Sequence, residues 1–380
     1  MKKIIYLDNA ATTPVDKEVA KVANEFMIKS YGNASTLYRL GRNARAAVES
    51  ARERIADFIN ASSEEIFFTS GGTESDNLAL MGIALANPDK KHIITSVIEH
   101  PAVMETCKQL EKQGYKVDYI PVDKDGIVNV EEIKTKIRED NTLIVSVMHV
   151  NNEIGTIQPI EEIAGICRLK KVLFHTDAVQ SFGKLNIDAS KIDLLSASGH
   201  KINAPKGIGF LYVRKGVKIH PILRGGGQEK KIRSGTENVS GIVALGKAVE
   251  LAEKRMKNAA KIKKLQEKLI NELLKIRGTR LNGSRDKRIY TNVNVSFDDA
   301  EGEAIVLLLD EKGICCSTGS ACSSTSLKTS PVLRAIGLGD EESHGSLRIT
   351  LGWQNTEREI GYAIKEIKKA VENLRRIYGK

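Results

Sequence analysis

No run of about eighteen apolar residues occurs in the 380-residue sequence, so no segment has the length of a bilayer-spanning helix. The amino-terminal Met1-Lys2-Lys3-Ile4-Ile5-Tyr6 is too short in apolar length for a secretory signal. Cysteine is scarce and scattered. Cys107, Cys167, Cys315, Cys316 and Cys322 form neither a disulfide framework nor a paired CxxC metal pattern. These absences lead us to expect a soluble, cytoplasmic protein without membrane association or a resident metal. No internal repeat or low-complexity linker divides the chain sharply.

The remaining composition is ordinary. Hydrophobic residues make up 41% and charged residues 28%, and the length allows a large core. A formal net charge of +10 invites a nucleic-acid reading. Lysine is spread along the chain, however, and the densest run, from Lys254 to Lys268, alternates with acids on an amphipathic helical pattern. A solvated helix face accounts for it, and no stable nucleic-acid binding is expected. Short apolar runs at residues 66–68, 92–96, 117–120, 143–147, 172–175 and 192–195 read as strands. Helical patterns such as residues 42–59 alternate with them. That alternation predicts an α/β domain with a mostly parallel sheet flanked by helices. Residues 240–276 read as one long helix bridging two lobes. Beyond it, strands at 293–297 and 347–351, a helix at 302–309 and a capping box at Thr356-Glu357-Arg358-Glu359 predict a smaller α+β domain. The expected division is 14–260 for the large domain, with 1–13 and 261–380 forming the small one.

Three strand ends carry chemistry. The run at 192–195 leads into Ser198-Gly199-His200-Lys201, delivering a lysine at a strand's carboxyl end, where open α/β sheets bind ligands. A lysine desolvated there, beside Ser198 and His200 as phosphate partners, suits a Schiff base to an aldehyde cofactor. The run at 172–175 leads into Thr176-Asp177, and a strand-end aspartate is the expected partner of a pyridine nitrogen, as in pyridoxal phosphate enzymes. Residues 66–68 lead into Gly71-Gly72-Thr73-Glu74, a strand–turn–helix whose glycines and first N–H groups form a phosphate cradle. Each alone has a bland reading as a surface lysine, a loop acid or a plain connection. Together they make a cofactor site.

Two further residues join them. His100 stands at the same predicted edge, before a proline suited to a helix's first turn, where an imidazole stacks on a ring and passes protons. Cys322 lies in Ser317-Thr318-Gly319-Ser320-Ala321-Cys322-Ser323-Ser324-Thr325-Ser326, a small, polar stretch without apolar periodicity that reads as a mobile loop. A thiol there is a candidate nucleophile, with an ordinary pKa of about 8.5. Cys315 and Cys316 follow Ile314 in an apolar strand and read as core.

These motifs, with Leu7-Asp8-Asn9-Ala10-Ala11-Thr12-Thr13, Asn151-Asn152-Glu153-Ile154-Gly155, Gly225-Gly226-Gly227-Gln228-Glu229, Arg233-Ser234-Gly235-Thr236 and His344-Gly345-Ser346-Leu347-Arg348, run nearly end to end. In them the chain resembles the cysteine desulfurases of the NifS/IscS type, within the class-V aminotransferase superfamily. The resemblance implies an aspartate-aminotransferase-like fold type I, pyridoxal 5'-phosphate as cofactor and a homodimer. It implies conversion of L-cysteine to L-alanine, with sulfur passed to Cys322 as a persulfide for iron–sulfur assembly or thiolation acceptors. Lys201 then carries the cofactor, Asp177 pairs with its ring nitrogen, Gln180 bonds its phenolic oxygen and His100 stacks on it. Gly72, Thr73, Ser198 and His200 match the phosphate binders, and Thr236 matches one donated across the dimer. Asn152 and Arg348 match groups near the substrate carboxylate. Cys322 is also the residue that would meet an iron–sulfur cluster on a scaffold partner. Ala34, Thr36, Tyr38, Pro331 and Trp353 depart from the family pattern without touching the cofactor residues. A selenocysteine lyase would share every cofactor residue, and Cys322 is what separates the two activities.

Overall fold

The computed structural model describes residues 4–318 and 329–377. In chain order the elements begin with β1 (Ile5–Tyr6), α1 (Lys17–Ile28), α2 (Arg39–Phe58), β2 (Ile66–Thr69), α3 (Gly72–Ala86), β3 (His92–Ser96), α4 (Pro101–Lys112) and β4 (Lys116–Ile120). Next come α5 (Val130–Lys136), β5 (Thr142–Ser146), α6 (Ile160–Leu169), β6 (Leu173–Asp177), β7 (Leu194–Ser198), β8 (Gly209–Val213), α7 (Val239–Met256) and α8 (Ala259–Leu273). The remainder is β9 (Thr279–Leu281), β10 (Asn292–Phe297), α9 (Gly302–Asp310), β11 (Ile314–Cys315), α10 (Pro331–Ala335), α11 (Asp340–His344), β12 (Ser346–Thr350) and α12 (Glu357–Ile377).

Seven strands form the main sheet in the order β2-β8-β7-β6-β5-β3-β4. The run from β7 to β4 is parallel, while β8 is antiparallel to both β7 and β2. Two reversals cancel, so β2 ends at the same edge as β3, β5, β6 and β7. Strand alternation sends Phe68, Ile94, Val145, Phe174, Leu195 and Phe210 into one buried cluster. Phe67, Ile93, Ile144, Leu194 and Leu211 face the other. Helices cover both faces, as near-continuous apolar strands require.

A separate apolar cluster joins Ile5 and Leu7 to α8, α9, α12 and the antiparallel sheet β12-β10-β9. The first strand therefore packs with the last third of the chain. Its partner β11 runs parallel to it, with Tyr6 opposite Cys315. The capping box opens α12 as predicted: Thr356 N–H donates to Glu359 Oε2 (3.0 Å) and Glu359 N–H to Thr356 Oγ1 (3.3 Å).

Two readings change. The single helix expected at 240–276 is α7 and α8, broken at Lys257 and Asn258, where Asn258 has φ −106° and ψ 14°. Apolar spacing on either side is continuous, so the break left no mark in the pattern. The strand expected at 192–195 is β7, which runs on through Ser196 and Ser198. Ser196 sits in a buried strand because it has a partner, its Oγ lying 3.0 Å from His175 Nε2.

Candidate active site

The five strand ends at one edge of the sheet bring most of the predicted residues together. Lys201 closes a 3-10 turn directly after β7. Its Nζ donates to Ala10 O (2.5 Å) and Ala11 O (2.8 Å), so the Asn9–Thr13 turn covers the amine. Gln180 Nε2 donates to the same Ala10 carbonyl (3.0 Å). Asp177 ends β6, is 6% exposed and accepts the Val179 N–H at Oδ1 (2.8 Å). Among the described residues its second oxygen has no hydrogen-bond partner. Burial pushes the Asp177 carboxyl up, and the charges of His100 and Lys201 oppose that push.

His100 is the N-cap of α4, with Pro101 as the first helical residue. Its Nδ1 accepts the Ala102 N–H (3.1 Å). That bond assigns the neutral ring's proton to Nε2. Burial lowers the His100 pKa, with Lys201 adding to the effect and Asp177 opposing it. His200 bonds Thr12 Oγ1 through Nδ1 (3.1 Å), and burial brings it down to about 4.

The phosphate cradle has a backbone reason. Gly71, the N-cap of α3, has φ 152°, a conformation that favours glycine. A Cβ on Gly72 would lie 2.6 Å from Val179 Cγ2. The first N–H groups of α3 lack intrahelical acceptors, as at any helix start, and Gly71 and Gly72 bring them beside the strand end at Ser198, whose side chain lies 3.6–3.7 Å from their Cβ positions. Glu74 flanks the cradle and is held by Arg233 (Nε to Oε1, 2.8 Å) and by Ser70 N–H (2.8 Å). These features fit pyridoxal phosphate: an anion at the helix N-terminus, a ring nitrogen at the open oxygen of Asp177, an aldehyde at Lys201.

On the small-lobe side, Arg348 lies on β12 and is 3% exposed. It donates to Asp8 Oδ1 (2.9 Å) and to Asn152 O (3.2 Å), while its buried Nε has no hydrogen-bond partner among the described residues. Asn151 shapes the Asn152 turn by accepting the N–H groups of Glu153 and Ile154 (2.9 and 3.0 Å). Thr236 stands apart, exposed on the loop before α7. Cys322 lies outside the described residues. The chain flanking it is tied to the site: Ser317 and Arg348 exchange backbone bonds (3.2 and 2.7 Å), and Ser330 Oγ donates to Glu153 Oε2 (2.6 Å). Cys316 is buried and Cys315 half-buried.

Sequence reasoning missed a shell behind these groups. Glu99 is 6% exposed, accepts Ser96 Oγ–H (2.5 Å) and Met148 N–H (3.0 Å), and is pushed up to about 8 by burial. Asp76 is buried beneath Asp177, and its carboxyl is pushed up by burial and by that neighbour. Lys184 Nζ donates to Gln180 O (3.1 Å), and burial, then Lys201, lower it to about 7. The only sequence signal for any of them was proximity to a motif.

The family described as Aminotransferase class-V matches residues 5–362. The chain is 52% identical over 377 residues to the cysteine desulfurase IscS of Methanosarcina thermophila, covering 98% of this chain and 93% of that one. It is 49% identical over 382 residues to the IscS of Dictyoglomus turgidum, covering 99% and 97%. A solved NifS-like protein superposes with a TM-score of 0.92 at 40% identity, covering 98% of this chain and all of that one. SspA in complex with cysteine superposes with a TM-score of 0.82 at 39% identity, covering 91% and 98%.

Proposed function

The chain belongs to the class-V aminotransferase family, and from that premise we propose a pyridoxal-phosphate-dependent cysteine desulfurase. It converts L-cysteine to L-alanine and moves the sulfur to Cys322. The observation that carries this reading is the convergence of Lys201, Asp177, His100 and the α3 N-terminus at one sheet edge.

Pyridoxal phosphate, once bound, would supply an electron-accepting group for the substrate amino acid. The chain's residues do the rest. Asp177 would pair with the cofactor's ring nitrogen, and its burial would keep water from competing for that contact. Gly72, Thr73, Ser198 and His200 anchor the phosphate, with Thr236 reaching it from the partner subunit. Gln180 holds the phenolic oxygen. Asn152 and Arg348 orient the substrate carboxylate, for which a guanidinium fork is suited. Lys201 Nζ takes the proton from the substrate α-carbon. His100 Nε2 would hold or pass a proton at the same site. The Cys322 thiolate takes the β-sulfur, forming an S–S bond as the carbon–sulfur bond breaks, so that cysteine plus thiol becomes alanine plus persulfide.

The clusters on the two faces of the main sheet and the separate cluster around β10 and β12 support a division into a large domain of 14–260 and a small one of 1–13 with 261–380. A homodimer accounts for the exposed Met27 and Ile28 at the end of α1 and Tyr31, Leu37 and Tyr38 on the loop to α2, which are 59–82% exposed. Among the described residues no helix is long and apolar enough to cross a membrane. We place the enzyme in the cytoplasm, with an iron–sulfur scaffold or thiolation protein as acceptor. The test mixes purified protein with L-cysteine. Alanine and a mass gain of one sulfur at Cys322 are expected, with the gain lost in Cys322→Ala and the visible cofactor band lost in Lys201→Ala. A colourless protein that yields no alanine overturns the proposal.

A further inference from the structure

Trp353 is the chain's one tryptophan. It stands on the turn that leaves β12, five residues past Arg348, and is 46% exposed. A half-exposed aromatic on a turn needs no explanation by itself. What surrounds this one does. Its ring lies against Arg255, whose guanidinium carbon is 4.2 Å from the ring centroid. Arg255 is in the last turn of α7, on the other lobe. That guanidinium is ion-paired with Asp16, the N-cap of α1, and donates to Asn203 Oδ1 (3.1 Å).

Asn203 is itself pinned. It has φ 69°, its N–H donates to Thr13 Oγ1 (2.8 Å) and its Nδ2 to Pro14 O (2.8 Å). It follows Lys201 by two residues. One chain of contacts therefore runs from the strand that carries Arg348, through Trp353, Arg255 and Asn203, to the turn that carries Lys201. Trp353, Arg255 and Lys201 also line one cavity of about 70 Å³ between the lobes. A planar, weakly hydrated guanidinium whose edges are fixed by Asp16 and Asn203 offers its face at little entropic cost, and an aromatic ring is the partner that face takes.

We propose that Trp353 and Arg255 form a brace across the lobe cleft that fixes the spacing between Arg348 and Lys201. Both are positioning residues: they touch neither substrate nor cofactor, and they set where the cysteine carboxylate sits relative to the lysine. The proposal rests on the desulfurase reading for its kinetic consequence, while the brace itself is measurable without turnover.

The test uses the holoenzyme with Trp353→Leu, Trp353→Phe, Arg255→Met and the double Trp353→Leu/Arg255→Met. The KM for L-cysteine is expected to rise about two- to fivefold in Trp353→Leu and Arg255→Met, the range an exposed cation–π contact supports. kcat should stay within about twofold, and the double variant should be no worse than either single one. Trp353→Phe, which keeps an aromatic face, should return KM to near the wild-type value. Independently of activity, acrylamide quenching of the single tryptophan's fluorescence should rise in Arg255→Met while cofactor absorbance holds, and the melting temperature should fall in Arg255→Met, which strands Asp16, more than in Trp353→Leu. An unchanged KM in Trp353→Leu, additive losses in the double variant, or unchanged quenching in Arg255→Met overturns the brace. A wild-type enzyme that makes no alanine overturns the desulfurase reading instead, and the quenching comparison still decides the brace.

Discussion

Replacing Arg52 with methionine removes the centre of a buried ion-pair network that anchors the loop beside the phosphate cradle. Arg52, on α2, is 4% exposed and Glu229 8%. The two form a bidentate pair at 2.8 Å for each bond, and Arg52 also donates to Ile66 O (2.7 Å). Glu229 accepts the Phe68 N–H as well (2.8 Å). The pair holds Glu229, Lys230 and Lys231 at φ 42°, 54° and 67°, three consecutive non-glycine residues in the left-handed region. That conformation costs about 1–2 kcal/mol per residue, so the turn relaxes once its anchor is gone. Removing one partner of such a pair leaves a buried charge and costs about 3–5 kcal/mol. At about 2–4 °C per kcal/mol for a domain of 150–250 residues, the large lobe's unfolding midpoint should fall by about 10 °C. Differential scanning calorimetry measures it. Arg52→Met/Glu229→Met should recover part of the loss, since apolar replacement of a whole pair is often near neutral. It should stop about 1–3 kcal/mol short, because Phe68 N–H is left without its acceptor. A single variant that melts within about 1 °C of wild type, or a double variant no better than the single, refutes the argument.

Glu99 keeps its proton in the fold up to about pH 8 and releases it near pH 4 when unfolded, so its burial removes stability as pH rises between those values. In denaturant melts, Glu99→Gln should flatten the decline that wild type shows from pH 5 to 8; parallel curves would sink the assignment. Lys184, lowered to about 7 in the fold, binds its proton more tightly when unfolded, so its stabilising contribution is lost as pH falls toward and through that value. Lys184→Met should be more stable than wild type at pH 6 and lose that advantage by pH 10, as thermal melts across the range will show. Gly72→Ala places a methyl 2.6 Å from Val179 Cγ2. Cofactor titration of the apoenzyme should give about tenfold weaker binding, recovered in part by Gly72→Ala/Val179→Ala; equal affinity in Gly72→Ala would show that the two chains can part.

Much of this protein is written locally. Apolar runs bounded by turn residues marked β3 to the residue and β5 and β6 within one or two. The capping oxygen of Thr356 and the glycine pair at 71–72 announce their helices through bonds made within a few residues, which a linear reading detects. The contacts that join distant segments left no such trace. Arg52 meets Glu229 across 177 positions, Arg348 meets Asp8 across 340, and the Trp353 ring meets Arg255 on another lobe. Nothing in the spacing of those residues separates them from solvated charges. Antiparallel β8, which turns β2 so that the phosphate cradle faces Lys201, is likewise a matter of pairing rather than propensity. Sequence alone therefore determined the alternation of strands and helices and the motifs that the strand ends carry, but neither the break between α7 and α8 nor the strand β8. The closing of the chain decided which charges are dry, which pairs hold the lobes, and how strongly each buried carboxyl keeps its proton, because desolvation and long-range pairing exist only after distant segments meet.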